Sequence, residues 1–402
     1  MQSPTDPRVI KRILLFSGLI VTLSMGIRHS FGLYLSPMTL DLGWGREQFA
    51  FAIALQNLLW GAAQPFTGMI ADVWGARRVL IVGALLYLVG LVLMAGAATP
   101  LGFDVGAGLL VGLGLSGTTY SVVFGVIGRV VPAEGRSKAL GLVSAAGSIG
   151  QFLMLPLAQS LISQLGWSLA LLCSALLIAL ILPASRPLVA PSPPKHISHS
   201  GQGLRQALQQ AFSNPSFLLL GFSYFVCGFQ VTFIGTHLPA YLADAGQSAE
   251  LGTLCLALIG LFNIAGTYLF GQWGGVHSKK HLLAVIYFGR VLLVAWFINT
   301  PLSPASAMFF AGAMGFLWLA TVPLTNGLIA QIFGVQYMAT LGGIVFCAHQ
   351  VGSFIGVWMG GRVFDTTGSY DWIWYGSMAL GVTAAALCLP IKQHSLTPAH
   401  PI

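Results

Sequence analysis

SRPLVAPSPPKHISHSGQGLRQALQQ, residues 185–210, is the one long polar stretch in a chain of 402 residues that is otherwise strongly apolar. It is rich in Pro, Ser and Gly and carries Arg186, Lys195 and Arg205, the composition of a linker. On either side the sequence falls into runs of about 20 apolar residues, the length that crosses a bilayer as a helix. Six runs precede the linker, at 13–37, 47–70, 77–97, 103–129, 137–164 and 167–184. Six follow it, at 214–241, 248–272, 281–299, 304–332, 338–364 and 371–391. The expected architecture is an all-α membrane protein of twelve transmembrane helices in two six-helix bundles. The bundles are expected at 1–185 and 214–402, joined by a cytoplasmic linker at 186–213.

The composition agrees. Charged residues are 7% of the chain, against about 25% in an ordinary soluble domain. Hydrophobic residues reach 56% and the mean hydropathy is +0.82. The first run follows Arg8, Lys11 and Arg12 without a small-residue cleavage site, so it reads as a retained span and not a signal peptide. Basic residues set the orientation. Arg8, Lys11, Arg12, Arg77, Arg78, Arg129, Arg136, Lys138, Arg186, Lys195, Arg205, Lys279, Lys280 and Lys392 fall on one face, and Arg46 and Arg362 on the other. Both termini are therefore expected in the cytoplasm, the protein lying in a bacterial-type inner membrane. The net charge of +8 fits a basic inner face against anionic lipid, with no nucleic-acid role required.

Several chemistries find no support. The five cysteines lie in apolar runs without CxxC spacing, which argues against disulfides and zinc. There is no GxxxxGK[ST] loop for ATP and no HExxH metal motif. No metal, cofactor or enzymatic activity is expected, and the oligomeric expectation is a monomer.

The two halves repeat one another. SMGIRHSFGLYLSPM (24–38) aligns with VCGFQVTFIGTHLPA (226–240), matching Gly26 with Gly228, Phe31 with Phe233 and Pro37 with Pro239. In that register Arg28 pairs with Gln230. GMIADVWGARR (68–78) similarly aligns with GQWGGVHSKKH, and SIGQF (148–152) with QVGSF (350–354). Two equivalent halves place a site between them near the midplane, reached alternately from each side.

Of the eighteen Lys and Arg, only Arg28 and Arg290 fall inside spans, and all ten acids sit near loops. Arg28 is sixteen residues beyond Arg12 and thirteen before Asp41, about 24 Å and 20 Å along a helix. An arginine that deep costs about 2.5–3.5 kcal/mol on insertion scales and needs a wet cavity or a partner. A carboxylate or phosphate suits the guanidinium fork; the alternative is packing against carbonyls and amides. Arg290, ten residues past Lys280, poses the same choice. Asn57, Tyr120, Gln151, Gln230, Asn263 and Asn326 complete a candidate substrate lining with His349. Each buried amide can bond a neighbouring helix or a ligand. With no carboxylate in the core, the groups able to carry a proton are His349, His29 and His237, since imidazole titrates near neutrality.

GMIADVWGARR resembles the signature loop between the second and third helices of the major facilitator superfamily, with Gly68, Asp72, Gly75, Arg77 and Arg78 on its main positions. That resemblance implies the major facilitator fold and a conformational latch formed by those five residues; the C-terminal copy has Gly275 in place of Asp72. It also makes the ninth span, which carries Arg290, a peripheral support helix. HSFGLYLSPM and GGRVFDTTGSYDWIWY resemble the monocarboxylate and oxalate/formate transporters. The chain departs from them at Leu33, where mammalian members carry a lysine, and in LFNIAGTYLFG, which has Asn263 and no charge. The resemblance implies secondary transport of a small organic anion, by analogy a monocarboxylate, through proton symport or anion exchange. The rivals are a proton-coupled exporter of drugs or neutral metabolites and a ligand sensor that does not transport. The exporter is disfavoured because GSIGQFLMLP sets Pro156 apart from the glycines.

Overall fold

A lipid core offers no water to unpaired backbone groups, so a chain this apolar closes its hydrogen bonds within helices. The computed structural model describes residues 7–188, 204–334 and 338–394, apart from the side chains of residues 72, 133–138, 204 and 339. Most of the expected linker, residues 189–203, lies outside that description. The first span is α1 (Pro7–His29), a 3₁₀ turn (Phe31–Tyr34) and α2 (Leu35–Leu42); the second and third are α3 (Arg46–Trp74) and α4 (Ala76–Ala95). The fourth comprises α5 (Pro100–Phe103), a π-helical segment (Asp104–Leu110), α6 (Val111–Thr118) and α7 (Tyr120–Val130). The fifth and sixth run together as α8 (Ala133–Ala179), followed by α9 (Ile181–Ala184). After α10 (Leu204–Phe212) come α11 (Pro215–Asp244), α12 (Ala249–Val276), α13 (Lys279–Asn299), α14 (Pro304–Leu317), α15 (Thr321–Phe333), α16 (Met338–Thr367) and α17 (Asp371–Cys388).

Among the described residues, nine stretches are long and apolar enough to cross a membrane by themselves. One of them, Ala139–Ala184, is 46 residues long, enough for two crossings. It turns at Gly166, whose φ of 79° is a left-handed conformation that glycine adopts without strain. With α3 and α17 these make the twelve spans. Two apolar cores form, one almost wholly from residues before the linker and one almost wholly from residues after it. The halves meet where α3 packs along α16 and α8 along α12.

Three spans that read as continuous apolar runs are broken. The first breaks at Ser30, directly after Arg28 and His29. The fourth breaks at Thr119, whose ψ of −162° is extended backbone. The tenth breaks over Trp318–Ala320, between α14 and α15. The fourth and tenth spans correspond in the repeat. Breaks at matching places in two repeated halves leave backbone groups without intrahelical partners near the midplane.

Candidate functional site

The first break sets Arg28 on the last turn of α1. Its side chain is half-buried. Nη2 donates to the Asn57 Oδ1 at 2.5 Å, and the guanidinium lies 4.8 Å from the centre of the Trp60 ring. Asn57 is held for this contact because its own Nδ2 donates to the Ile53 carbonyl at 2.7 Å. Trp60 is held by the break in the fourth span, its indole N–H donating to the Thr119 hydroxyl at 3.2 Å. Arg28 Nε is buried without a hydrogen-bond partner. Among the described residues the ion pairs are Arg46–Asp244 and Arg362–Glu47, so no carboxylate answers the Arg28 charge. A planar cation with spare donors, held by one amide and one aromatic face, can take an anion. Tyr120 lies within electrostatic reach of Arg28, its ring 5.3 Å from Phe124 and its hydroxyl over Gly147.

A hydrogen-bonded chain runs from this point into the other half. Gln350, buried on α16, donates its Nε2 to the Asn57 backbone carbonyl at 3.0 Å. It comes this close to α3 because position 61 is glycine: a Cβ there would collide with the Gln350 side chain. A carbonyl can only accept, so the Gln350 nitrogen faces Asn57 and its Oε1 turns back to His349 Nδ1, 3.0 Å away. An amide oxygen can likewise only accept. His349 therefore carries its hydrogen on Nδ1 and a lone pair on Nε2, and Nε2 is buried with no partner. The imidazole lies parallel to Phe346, with centroids 5.8 Å apart, and 4.8 Å from Tyr224. Phe346 meets Trp60 edge-on at 5.5 Å, so aromatic rings also bridge the halves.

The other sequence-selected residues lie elsewhere. Arg290 is fully buried; its Nη2 donates to the Leu317 carbonyl at 2.7 Å and to the Trp318 carbonyl, and its Nη1 to Gln230 Oε1 at 3.3 Å. Leu317 and Trp318 lie where α14 ends, among the carbonyls that a helix terminus leaves without intrahelical partners. Gln230 in turn donates to the Ser377 carbonyl at 3.0 Å. Asn263 serves the same break, its Oδ1 accepting the Leu319 N–H at 3.0 Å, while its Nδ2 reaches Ser148 in the first half at 3.3 Å. Gln151 crosses between halves to the Leu256 carbonyl at 3.2 Å. Asn326 bonds its own helix at Val322, and His29 bonds its own helix at Met25.

His237 belongs to a cluster that the sequence reading did not assemble. Arg46, at the start of α3, grips both oxygens of Asp244, each at 2.6 Å, and donates to the Tyr370 hydroxyl at 2.8 Å. Its guanidinium stacks 3.7 Å from the centre of the Phe364 ring. Asp365 accepts the backbone N–H groups of Arg46 and Glu47 at 3.0 and 2.7 Å, a carboxylate from one half capping the positive end of a helix from the other. Glu47 accepts from Arg362 and from the Trp358 indole, both at 3.0 Å. His237 accepts or donates at Tyr370 (3.1 Å) and donates to the Val357 carbonyl (2.9 Å). This end of the molecule is tied shut across the halves. The signal was available: Arg46 and Arg362 are the lone basic residues on a face that also carries seven acids.

Of the signature loop, Gly75 forms the turn between α3 and α4 at φ 90°, and Arg77 and Arg78 are exposed. Gly68 lies within α3, and the Asp72 side chain is outside the described residues.

The Major Facilitator Superfamily family model matches residues 14–357. An uncharacterized MFS-type transporter of Bacillus subtilis, YcxA, is 25% identical over 91% of this chain and 91% of its own. Human monocarboxylate transporter 11 is 27% identical over 94% of this chain and 82% of its own, and zebrafish (Danio rerio) monocarboxylate transporter 12-B is 25% identical over 76% and 71%. Among solved structures, a D-xylose-proton symporter superimposes with a TM-score of 0.76 at 16% identity, covering 96% of this chain and 98% of that one. A bacterial homolog of the human lysosomal transporter Spinster, in an inward-facing and occupied conformation, gives 0.74 at 15% identity over 96% and 97%. The chain thus belongs to the Major Facilitator Superfamily, a multi-pass membrane transporter and not an enzyme.

Proposed function

We propose that the protein carries a small organic anion, by analogy with its named relatives a monocarboxylate, by alternating access, with the anion held at Arg28. The observation behind this reading is the arginine itself: deep in a span, half-buried, its η nitrogens meeting a single side-chain acceptor, Asn57, with no acid beside it. A charge placed there without a protein counter-ion is retained for a ligand that brings one. The guanidinium binds the carboxylate and Trp60 and Phe346 face its organic part. The two bundles rock about the interfaces of α3 with α16 and α8 with α12. The Arg46 end lies outside and the loop at Gly68–Arg78 lies in the cytoplasm with both termini, in a plasma membrane, where that loop latches the other state.

The test is thermal stabilisation of the purified protein by acetate, lactate, pyruvate, benzoate, neutral amides and lipophilic cations, wild type beside Arg28→Ala. A ligand of the native state raises its apparent stability. Stabilisation by a carboxylate that vanishes in Arg28→Ala supports the reading. Stabilisation by cations or neutral compounds, equal in both proteins, overturns it in favour of an exporter.

A further inference from the structure

The chain that leaves Arg28 ends on a histidine whose Nε2 is buried without a hydrogen-bond partner, and the fixed charges nearest it, Arg28 and Arg290, have the same sign. From α11, Tyr224 and Cys227 face the His349 ring. Behind Cys227, on α13, stand Tyr287 and the Arg290 guanidinium, whose Nη1 is 3.5 Å from the Cys227 sulfur. Arg28 stands at the far end of the chain through Gln350 and Asn57. The residues that meet the neighbours of His349 are neutral: Asn57 and Trp60 of α3 meet Gln350 and Phe346, and Thr321 of α15 lies 3.3 Å from the Cys227 sulfur. Among the described residues no carboxylate borders the group.

Resting on the reading of Arg28 as the anion's hook, we propose that His349 is the proton carrier of an anion–proton symport, tied to the anion through Gln350 and Asn57. The step is a simple protonation: the Nε2 lone pair takes a proton from water, Nδ1 keeps its hydrogen on Gln350 Oε1, and the imidazolium returns the proton to water when the site opens on the other side. In the empty protein that proton adds a positive charge to a site already holding two arginines and no acid, and an unbalanced buried charge is costly. An anion on Arg28 supplies the missing negative charge. Proton and anion therefore load together, and by linkage each must favour the other by the same factor. The apolar Phe346 and Tyr224 faces on the ring keep water, and so a stray proton, from the neutral form.

The experiment measures, in detergent, the affinity of the wild type for whichever of acetate, lactate, pyruvate or benzoate stabilises it most, at about pH 5.5 and about pH 7.5, where these acids remain largely ionised and imidazole changes charge. Proton uptake on binding is read with an indicator dye in weak buffer. The wild type is expected to bind about tenfold more tightly at the lower pH, within the usual span of coupling between sites, and to take up about half a proton per anion near the midpoint, as linkage requires. His349→Gln is expected to bind with neither pH dependence nor uptake. His29→Gln and His237→Gln are expected to keep both. Wild-type binding without proton uptake overturns the proposal while leaving the anion site intact. Uptake that persists in His349→Gln, or disappears in His29→Gln or His237→Gln, moves the proton elsewhere and also overturns it. Cys227→Ser is also expected to keep both, and loss of uptake there overturns the proposal; with the wild type and the two histidine controls it decides the matter even where His349→Gln does not fold. Failure of all four carboxylates to bind the wild type overturns the anion reading, and this proposal with it.

Discussion

Arg290 donates to two backbone carbonyls and the Gln230 side-chain oxygen, and is fully buried. Arg28, in the other half, donates from its η nitrogens to one amide oxygen and lies over one indole; Nε is without a partner in both arginines. Both are arginines inside the membrane, and charge alone does not separate them. What separates them is how many of their donors the fold already uses. Arg290 spends its fork on the carbonyl ends of a broken helix, a structural duty. Arg28 keeps part of its fork free. The repeat sharpens the contrast: the residue equivalent to Arg28 is Gln230, whose oxygen and nitrogen are both occupied within its own half. Gln230 is fully engaged within its own half, and Arg28 keeps η donors to spare, as the proposed anion site requires.

The largest effect that can break this comparison is on folding. Arg290→Ala strips donors from Leu317, Trp318 and Gln230, and each buried acceptor left unpaired costs on the order of 1–3 kcal/mol. A drop of about 3 kcal/mol in unfolding free energy is expected, read by reversible unfolding in mixed detergent, with carboxylate binding retained by the folded fraction. Arg28→Ala strips a donor from one buried acceptor, Asn57 Oδ1, so a smaller drop of about 1 kcal/mol is expected, together with loss of binding. Equal destabilisation by the two would erase the distinction.

A smaller effect belongs to a third arginine, one whose partners are acids. Arg46→Ala and Asp244→Ala, alone and combined, are expected to show a coupling of about 1 kcal/mol, because the pair is partly exposed and its value is limited by solvent. The measurement is the accessibility of an introduced cysteine beneath the Arg46 cluster, which should rise about fivefold in either single variant and little further in the double. Additive effects would mean that this network does not hold the halves together. The smallest effect is expected at His29. Its ring bonds back to Met25 on its own helix, so His29→Ala should change carboxylate affinity less than about twofold, although it is the sequence neighbour of Arg28.

Much of the fold was legible. Apolar runs of bilayer length, the polar linker and the repeated SMGIRHSFG and VCGFQVTFIG segments carry the twelve-helix, two-bundle architecture on composition alone. The breaks at Ser30, Thr119 and Trp318–Ala320 were not, because hydropathy reports what side chains prefer and is blind to where backbone bonds are interrupted. Arg28 and Asn57 were singled out by polarity and the structure joins them; Gln350, equally polar, was passed over beside the more conspicuous His349. Nothing in a sequence tells which of several buried amides bridges two helices 293 positions apart, since that depends on the approach permitted at Gly61. The Arg46 cluster escaped for a related reason. Its acids come from the ends of three helices far apart in the chain, and counting loop charges for orientation sets them aside as solvated.

The most direct test of the central claim, that Arg28 is the anion's hook, is counterflow of a radiolabelled stabilising carboxylate in proteoliposomes, with wild type, Arg28→Gln and Arg28→Lys normalised to folded protein. Exchange lost at least a hundredfold in Arg28→Gln, about 2.7 kcal/mol of lost stabilisation, and recovered in part by Arg28→Lys, which restores charge without the fork, is the expected result. Exchange that continues in Arg28→Gln at the wild-type rate would contradict it and make Arg28 a packing residue like Arg290.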